Sequence, residues 1–271
     1  MKIKEVIRAL EVFAPLPLQE SYDNAGLQVG LTESDVSGAL LCLDVTEDVV
    51  EEAVRKGCNL IVSHHPLLFR GLKQISDNDY VQRTVFKSIR EGIVIVSMHT
   101  NLDNANGGVN HEIARRLSLS DVTFLADERT IADPLGGETP QSQLNGGSGI
   151  IGNLEEPMDA KEFIMMVKET FGAGCCMTNE LLERPIKKVA VCGGAGAFLA
   201  KNAIRKGADA FITGEMHYHE FFGMEQQIQL IVIGHYESEQ YTTKLLADII
   251  SDRFPTLPIH FYGSTNPIRY Y

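Results

Sequence analysis

No apolar run in this sequence approaches the length that crosses a bilayer, so a membrane-spanning helix is not expected. The opening MKIKEVIRALEVFAPLPLQE also lacks the continuous apolar core of a secretory signal, because Arg8 and Glu11 interrupt it. Cysteine is sparse: Cys42, Cys58, Cys175, Cys176 and Cys192 form no C-x-x-C pair and no zinc-ribbon spacing, and their number is odd. A disulfide framework is therefore excluded, the thiols read as reduced, and the cytoplasm is the expected compartment. Positive charge is in deficit as well. Lys and Arg number 24 against 36 Asp and Glu, a net charge of −12, which argues against nucleic acid as a partner because an acidic surface repels phosphates. A small phosphorylated substrate stays compatible, since bound divalent ions reverse the field locally inside a cleft.

What is present is an alternating grammar. With 44% hydrophobic residues, 271 positions suffice for one large α/β domain or two smaller lobes. Val6, Ile7, Leu10 and Phe13 recur at helical spacing until Pro15 and Pro17 end the pattern. After the polar loop SYDNAGLQVG come a strand (39–45), a helix with an acidic first turn (47–57) and strands at 59–63 and 92–99. The order returns later as strand 188–194, helix 197–207, and strands 208–214 and 229–235. Strand, helix, strand implies right-handed crossovers and mainly parallel pairing. Ala53–Ser63 also aligns with Ala203–Thr213 at a constant offset of 150, with Arg55/Arg205, Lys56/Lys206 and Gly57/Gly207 identical. The expected fold is α/β: two similar lobes from an internal duplication, mainly parallel sheets flanked by helices, with a metal cleft between them. Residues 1–125 form the first lobe, 126–187 a connecting segment and 188–271 the second lobe. Within the connection, GGETPQSQLNGGSGIIGNL reads as loops, and Phe163, Met166, Val167 and Phe171 mark a helix over 159–172 whose methionines fill core.

The chemistry lies where apolar strands stop. His64 and His65 close the strand at 59–63 and precede Pro66, which keeps the chain out of helix there. In open parallel sheets, that strand end is where crevices form. His235 and Glu239 stand one helical turn apart on one face, and Asp103 follows strand 92–99 in HTNLDNANGGVN. Each group alone has an ordinary structural explanation, an Asx turn or a carboxylate at a helix start; three such groups on one duplicated scaffold point to metal. Three imidazoles and two carboxylates exceed the needs of one catalytic zinc and suit two divalent ions, with Asp103 or Glu239 as the bridge. This donor mixture fits Zn, Mn, Fe, Co or Ni better than Ca or Cu(I).

Several separated motifs now combine: DNAGLQVG (23–30), SHHPLLF (63–69), HTNLDNANGGVN (99–110), GSGIIGNL (147–154), CGGAG (192–196) and GHYESEQY (234–241). Through them the chain resembles the dinuclear-metal proteins known as GTP cyclohydrolase type 2 homologues, the Ngg-interacting-factor family. The resemblance implies His64, His65, Asp103, His235 and Glu239 as the metal ligands, two similar lobes facing each other, and assembly into a homohexameric ring. Some relatives carry an extra middle domain, for which 126–187 is too short. His99, the counterpart of His235 in the repeat, is not among the implied ligands and reads either as a residue that orients Asp103 or shuttles protons, or as an inert polar contact. Asp23, Asn24, Glu215, His217 and His219 are the substrate-binding candidates. Two functions fit: a metal-dependent hydrolase for a nucleotide or another small phosphorylated or cyclic-amide substrate, or a non-catalytic protein that binds, delivers or senses metal or serves as a ring-shaped partner platform. No P-loop is present, and CGGAG reads either as a phosphate cradle or as a packing turn.

Overall fold

The computed structural model describes residues 1–132 and 143–271. Helix α1 (Ile3–Phe13) buries Ile3, Val6, Ile7 and Leu10, the stripe its spacing predicts. There follow β1 (Gly26–Val29), β2 (Ala39–Cys42), α2 (Glu47–Arg55), β3 (Leu60–Ser63), α3 (Tyr80–Glu91), β4 (Val94–Ser97) and the short α4 (Thr100–Asp103). The middle of the chain forms α5 (Val109–Arg116), β5 (Ser120–Ala132), β6 (Gln143–Met158), α6 (Ala160–Phe171) and β7 (Met177–Thr178). Then come β8 (Ile186–Cys192), α7 (Ala200–Arg205), β9 (Ala210–Thr213), β10 (Gln229–Val232), α8 (His235–Glu239), α9 (Thr242–Arg253) and β11 (Ile259–Phe261).

Two compact units result. The first gathers Met1–Ala105 with Thr242–Thr265. Its sheet runs β1-β4-β3-β2-β11, parallel throughout except for the antiparallel edge strand β1. Every residue of β2, β3 and β4 is buried, as a parallel sheet covered on both faces requires. Leu40, Ile61 and Ile95 share a core with Val49, Val50 and Ala53 of α2 and Val85 of α3, while α9 packs on α1 and β2.

The second unit gathers Asn106–Thr130, Leu144–Tyr241 and Asn266–Tyr271. Its sheet runs β5-β6-β8-β9-β10-β7. Only β8, β9 and β10 are mutually parallel; β6 and β7 pair antiparallel to β8 and β10. The sheet is therefore mixed, where mainly parallel pairing was expected. The cause is β6, which occupies part of the Gly-rich stretch read from sequence as loops. Gly147 and Gly152 answer close approach rather than turning: a Cβ on Gly147 would stand 2.8 Å from Phe124 Cγ, and one on Gly152 would stand 2.8 Å from the Ser120 carbonyl. The first part of that stretch lies outside the described residues. In α6, Phe163, Val167 and Phe171 are buried as expected, but Met165 is exposed.

Contiguous boundaries at 125 and 187 do not coincide with these units. Helix α9 and β11 belong to the first, where β11 covers the edge of β2, and β6 and α6 belong to the second. The duplicated offset reappears in the ladders: β2 and β3 pair Ala39↔Leu60 through Cys42↔Ser63, and β8 and β9 pair Val189↔Ala210 through Cys192↔Thr213, each 150 positions on. The next strand corrects one equivalence. Leu60 faces Val94 and Ala210 faces Gln229, so the counterpart of His99 is Gly234, and His235 matches Thr100. Apolar runs specify no register on their own, and matching the two terminal histidines shifted the alignment by one residue.

Candidate metal centre

In the first unit, two backbone bonds carry His64 and His65 past the end of β3: His64 N–H donates to the Cys42 carbonyl at 3.2 Å and His65 N–H to that of Leu43 at 2.9 Å. The hydroxyls of Ser63 and Ser97 donate to the carbonyls of His65 (2.8 Å) and His64 (2.6 Å), fixing the turn from which both rings project. The His64 ring is fully buried. Its Nδ1–H donates to the Met98 carbonyl at 2.8 Å, and its Nε2 lies 3.7 Å from Asp103 Oδ1 on α4. His65 Nδ1–H donates to Asp44 Oδ1 at 2.9 Å. Acceptors at Nδ1 select the tautomer whose Nε2 carries the lone pair, the form in which histidine ligates metal.

His99 joins them. Its ring centroid lies 5.4 Å from that of His64 and 5.5 Å from that of His65, which are 4.9 Å apart. Its Nδ1–H donates to Asp23 Oδ1 at 2.7 Å, while the Thr100 N–H (3.0 Å) and hydroxyl donate to Asp23 Oδ2. Burial would raise the Asp23 carboxyl, but the hydrogen bond and charge of His99, with the donors of Thr100 and Asn24, outweigh it and hold the pKa at about 2. This depressed value stabilises the fold above the ordinary carboxylate value of 3.8, and the contribution is lost as pH falls toward 2. In urea unfolding of the metal-stripped chain, Asp23→Asn is expected to be less stable than the parent above pH 3.8 and to converge with it near pH 2; a constant difference across that window would remove Asp23 from this role. Asn24 Nδ2–H donates to the Leu68 carbonyl at 2.7 Å, tethering the loop after the histidine pair.

In the second unit β10 runs into Gly234, whose φ of 105° suits only glycine, and α8 begins with His235. His235 Nδ1–H donates to Glu215 Oε1 at 2.9 Å, and its Nε2 lies 3.1 Å from Oε2 of the buried Glu239. In CGGAG the three glycine N–H groups are committed to packing: Gly193 donates to Asn110 Oδ1 (2.9 Å), Gly194 to Ser238 Oγ (3.0 Å) and Gly196 to Thr213 Oγ1 (3.0 Å). Gly194, at φ 57°, also makes room for the carboxylate, since a Cβ there would stand 2.4 Å from Glu239 Oε1.

Of the sequence candidates, the structure groups His64, His65, Asp103, His99 and Asp23 in the first unit and His235, Glu239 and Glu215 in the second. His217 and His219 lie on an exposed turn, His217 before Glu220 in a capping arrangement and His219 beside the rings of Tyr218 and Phe222. Sequence reasoning misses Asp44, an exposed acid just past β2 within the apolar run ALLCLDV. An acid at the C-terminal end of a strand neighbouring His64 and His65 was the signal that could have found it. His64, His65 and Glu239 are candidate metal ligands, and the donor chemistry fits a divalent ion: neutral imidazole nitrogens fixed by acceptors at Nδ1, with carboxylates beside them.

Two helix-flanked sheets, each ending strands in imidazole and carboxylate donors, define an α/β protein of candidate metal-binding type. The model of the Duf34/NIF3 (NGG1p interacting factor 3) family matches residues 1–267, and the chain belongs to that family. A Clostridium acetobutylicum protein named GTP cyclohydrolase 1 type 2 homolog is 32% identical over 240 residues, covering 88% of this chain and 85% of the relative. A Campylobacter jejuni protein of the same name is 29% identical over 275 residues, covering 100% of both. Among solved structures, a Bacillus cereus protein related to NIF3 superposes with a TM-score of 0.86 at 25% identity, covering 100% of this chain and 99% of that one. Among the described residues, no helix is long and apolar enough to cross a membrane.

Proposed function

We propose that this protein binds two divalent metal ions through His64, His65, Asp103, His235 and Glu239, and that it is a metal-dependent hydrolase of a small phosphorylated or cyclic-amide substrate. The observation that carries the reading is that each of the three histidines has its Nδ1 against an oxygen acceptor, Met98, Asp44 and Glu215 respectively. That arrangement aims Nε2 outward as a donor and strengthens its basicity. A divalent pair supplies Lewis acidity toward a substrate oxygen and lowers the pKa of water. The chain's part in the reaction is then positional. His99, held by Asp23 through Nδ1, presents Nε2 as the atom that accepts a proton beside His64 and His65. The relatives' name, GTP cyclohydrolase 1 type 2 homolog, points the same way, toward nucleotide hydrolysis, although the committed amides of CGGAG leave phosphate recognition to other groups.

Elemental analysis of protein purified without added metal tests this directly. About two equivalents are expected in the native chain and none in a His64→Ala, His235→Ala double variant, with phosphoester and nucleotide turnover lost in parallel. A native chain that holds no metal and takes none up on titration would sink the proposal, while full metal loading without turnover of any such substrate would leave a binding protein and remove the hydrolase.

A further inference from the structure

The second unit holds another set of donors that the proposed centre does not use. Cys175 is exposed and Cys176 half-buried, both as free thiols. They lead into β7, where Met177 pairs with Val232 and Thr178 with Ile231 in antiparallel register. The pairing ends there, and the two cysteines precede it as irregular chain while Ile233 and Gly234 lead from β10 into α8. Gly234 in turn lies against Glu237: a Cβ built there would stand 2.1 Å from Glu237 Oε2 and 3.6 Å from Tyr270 Oη. The other side of Tyr270 faces Gly174, the residue before Cys175, with Cδ2 3.9 Å from that glycine's Cβ position. The approach to β7, the first turn of α8 and the arm Asn266–Tyr271 therefore meet at one spot.

Glu237 is only 7% exposed. Its Oε1 accepts a hydrogen bond from Asn266 Nδ2 at 2.8 Å, whereas Oε2 is buried with no hydrogen-bond partner among the described residues. A desolvated carboxylate oxygen left this way is unfavourable unless a proton or a cation compensates it. The surroundings concentrate negative potential. Burial, Cys175 and Glu237 raise the Cys176 thiol against the opposing pull of Lys168, and burial, Glu237 and both cysteines raise the Tyr270 phenol.

We propose that Cys175, Cys176 and Glu237 form a second cation site, for a thiophilic divalent ion of the zinc and cadmium class. Two thiolates and a carboxylate select such ions over calcium and magnesium, which demand oxygen ligands. Both thiols lose their protons to solvent on binding, so loading strengthens as pH rises. The three donor atoms do not yet stand within ligating reach of one another. Cys175, being exposed, is the donor that turns inward. Glu237 lies two residues from both His235 and Glu239 and so projects from a different face of α8, which keeps this site separate from the proposed histidine centre.

Cadmium titration of the reduced, metal-stripped full chain, followed by ultraviolet thiolate-to-cadmium charge transfer, tests the assignment. The titration is run in the His64→Ala, His235→Ala background, so that failure of the histidine centre and failure of this site remain distinguishable. A band saturating at about one equivalent is expected, absent from Cys175→Ser/Cys176→Ser and weakened at least about tenfold in Glu237→Gln. Cys42, Cys58 and Cys192 are buried and contribute nothing. Cys175→Ser alone, at an exposed position, serves if the double variant fails to fold. No band in the parent chain, an undiminished band without the two thiols, or unchanged affinity in Glu237→Gln would each overturn the three-donor site.

Discussion

Gly194→Ala is expected to lower metal affinity by about a hundredfold, the upper end of the effect seen when groups that orient ligands are lost. The added Cβ would arrive 2.4 Å from Glu239 Oε1, inside any tolerable contact, and Glu239 is only 4% exposed. The carboxylate must turn away to clear that methyl, and its oxygen then leaves the position 3.1 Å from His235 Nε2 where it serves as a donor. The backbone adds a smaller penalty, since a residue with a Cβ at φ 57° costs on the order of 1–3 kcal/mol. Isothermal titration with zinc measures the loss. A variant that binds as tightly as the parent would show that Glu239 is not a ligand, and the proposed set would fall to four.

The second large effect is on stability. Phe211 is fully buried in β9, at the centre of the core it shares with Leu125, Ile151, Ala190, Ala203 and Leu230. Phe211→Ala is expected to cost the second unit about 3–5 kcal/mol, the sum of lost transfer free energy and the cavity left behind. Because the chain folds as two compact units, a single midpoint would blur the result. Hydrogen exchange resolves it: amides of β8, β9 and β10 should lose protection while those of β2, β3 and β4 keep theirs. Equal loss in both sheets would mean that the units unfold as one cooperative block.

Much of the architecture was legible because burial imposes a period. The stripe Val6, Ile7, Leu10 specified α1, and the apolar runs at 59–63 and 229–235 marked strands whose histidines sit at their ends, as built. What stayed hidden depended on partners distant in the chain. Gly147 and Gly152 look like turn formers until Phe124 and Ser120 are known to press against them. The resemblance alone separates His99 from the ligands, yet its ring centroid stands 5.4 and 5.5 Å from those of His64 and His65, held by Asp23 from 76 residues earlier in the chain. Asp44 was overlooked because an acid after an apolar strand carries no signal until the neighbouring strand supplies a histidine.

Strand β11 has a consequence for biosynthesis. The first sheet gains its last member only from Ile259–Phe261, which pair in parallel with Ala39–Leu41. A ribosome that has already delivered β1 through β4 must therefore complete most of the remaining chain before that edge is capped. Until then the nascent protein presents β2 as an open hydrogen-bonding edge of apolar residues, the kind of surface on which neighbouring chains associate. Truncations that stop before residue 259 are thus exposed to aggregation during synthesis even though they retain every histidine of the proposed centre.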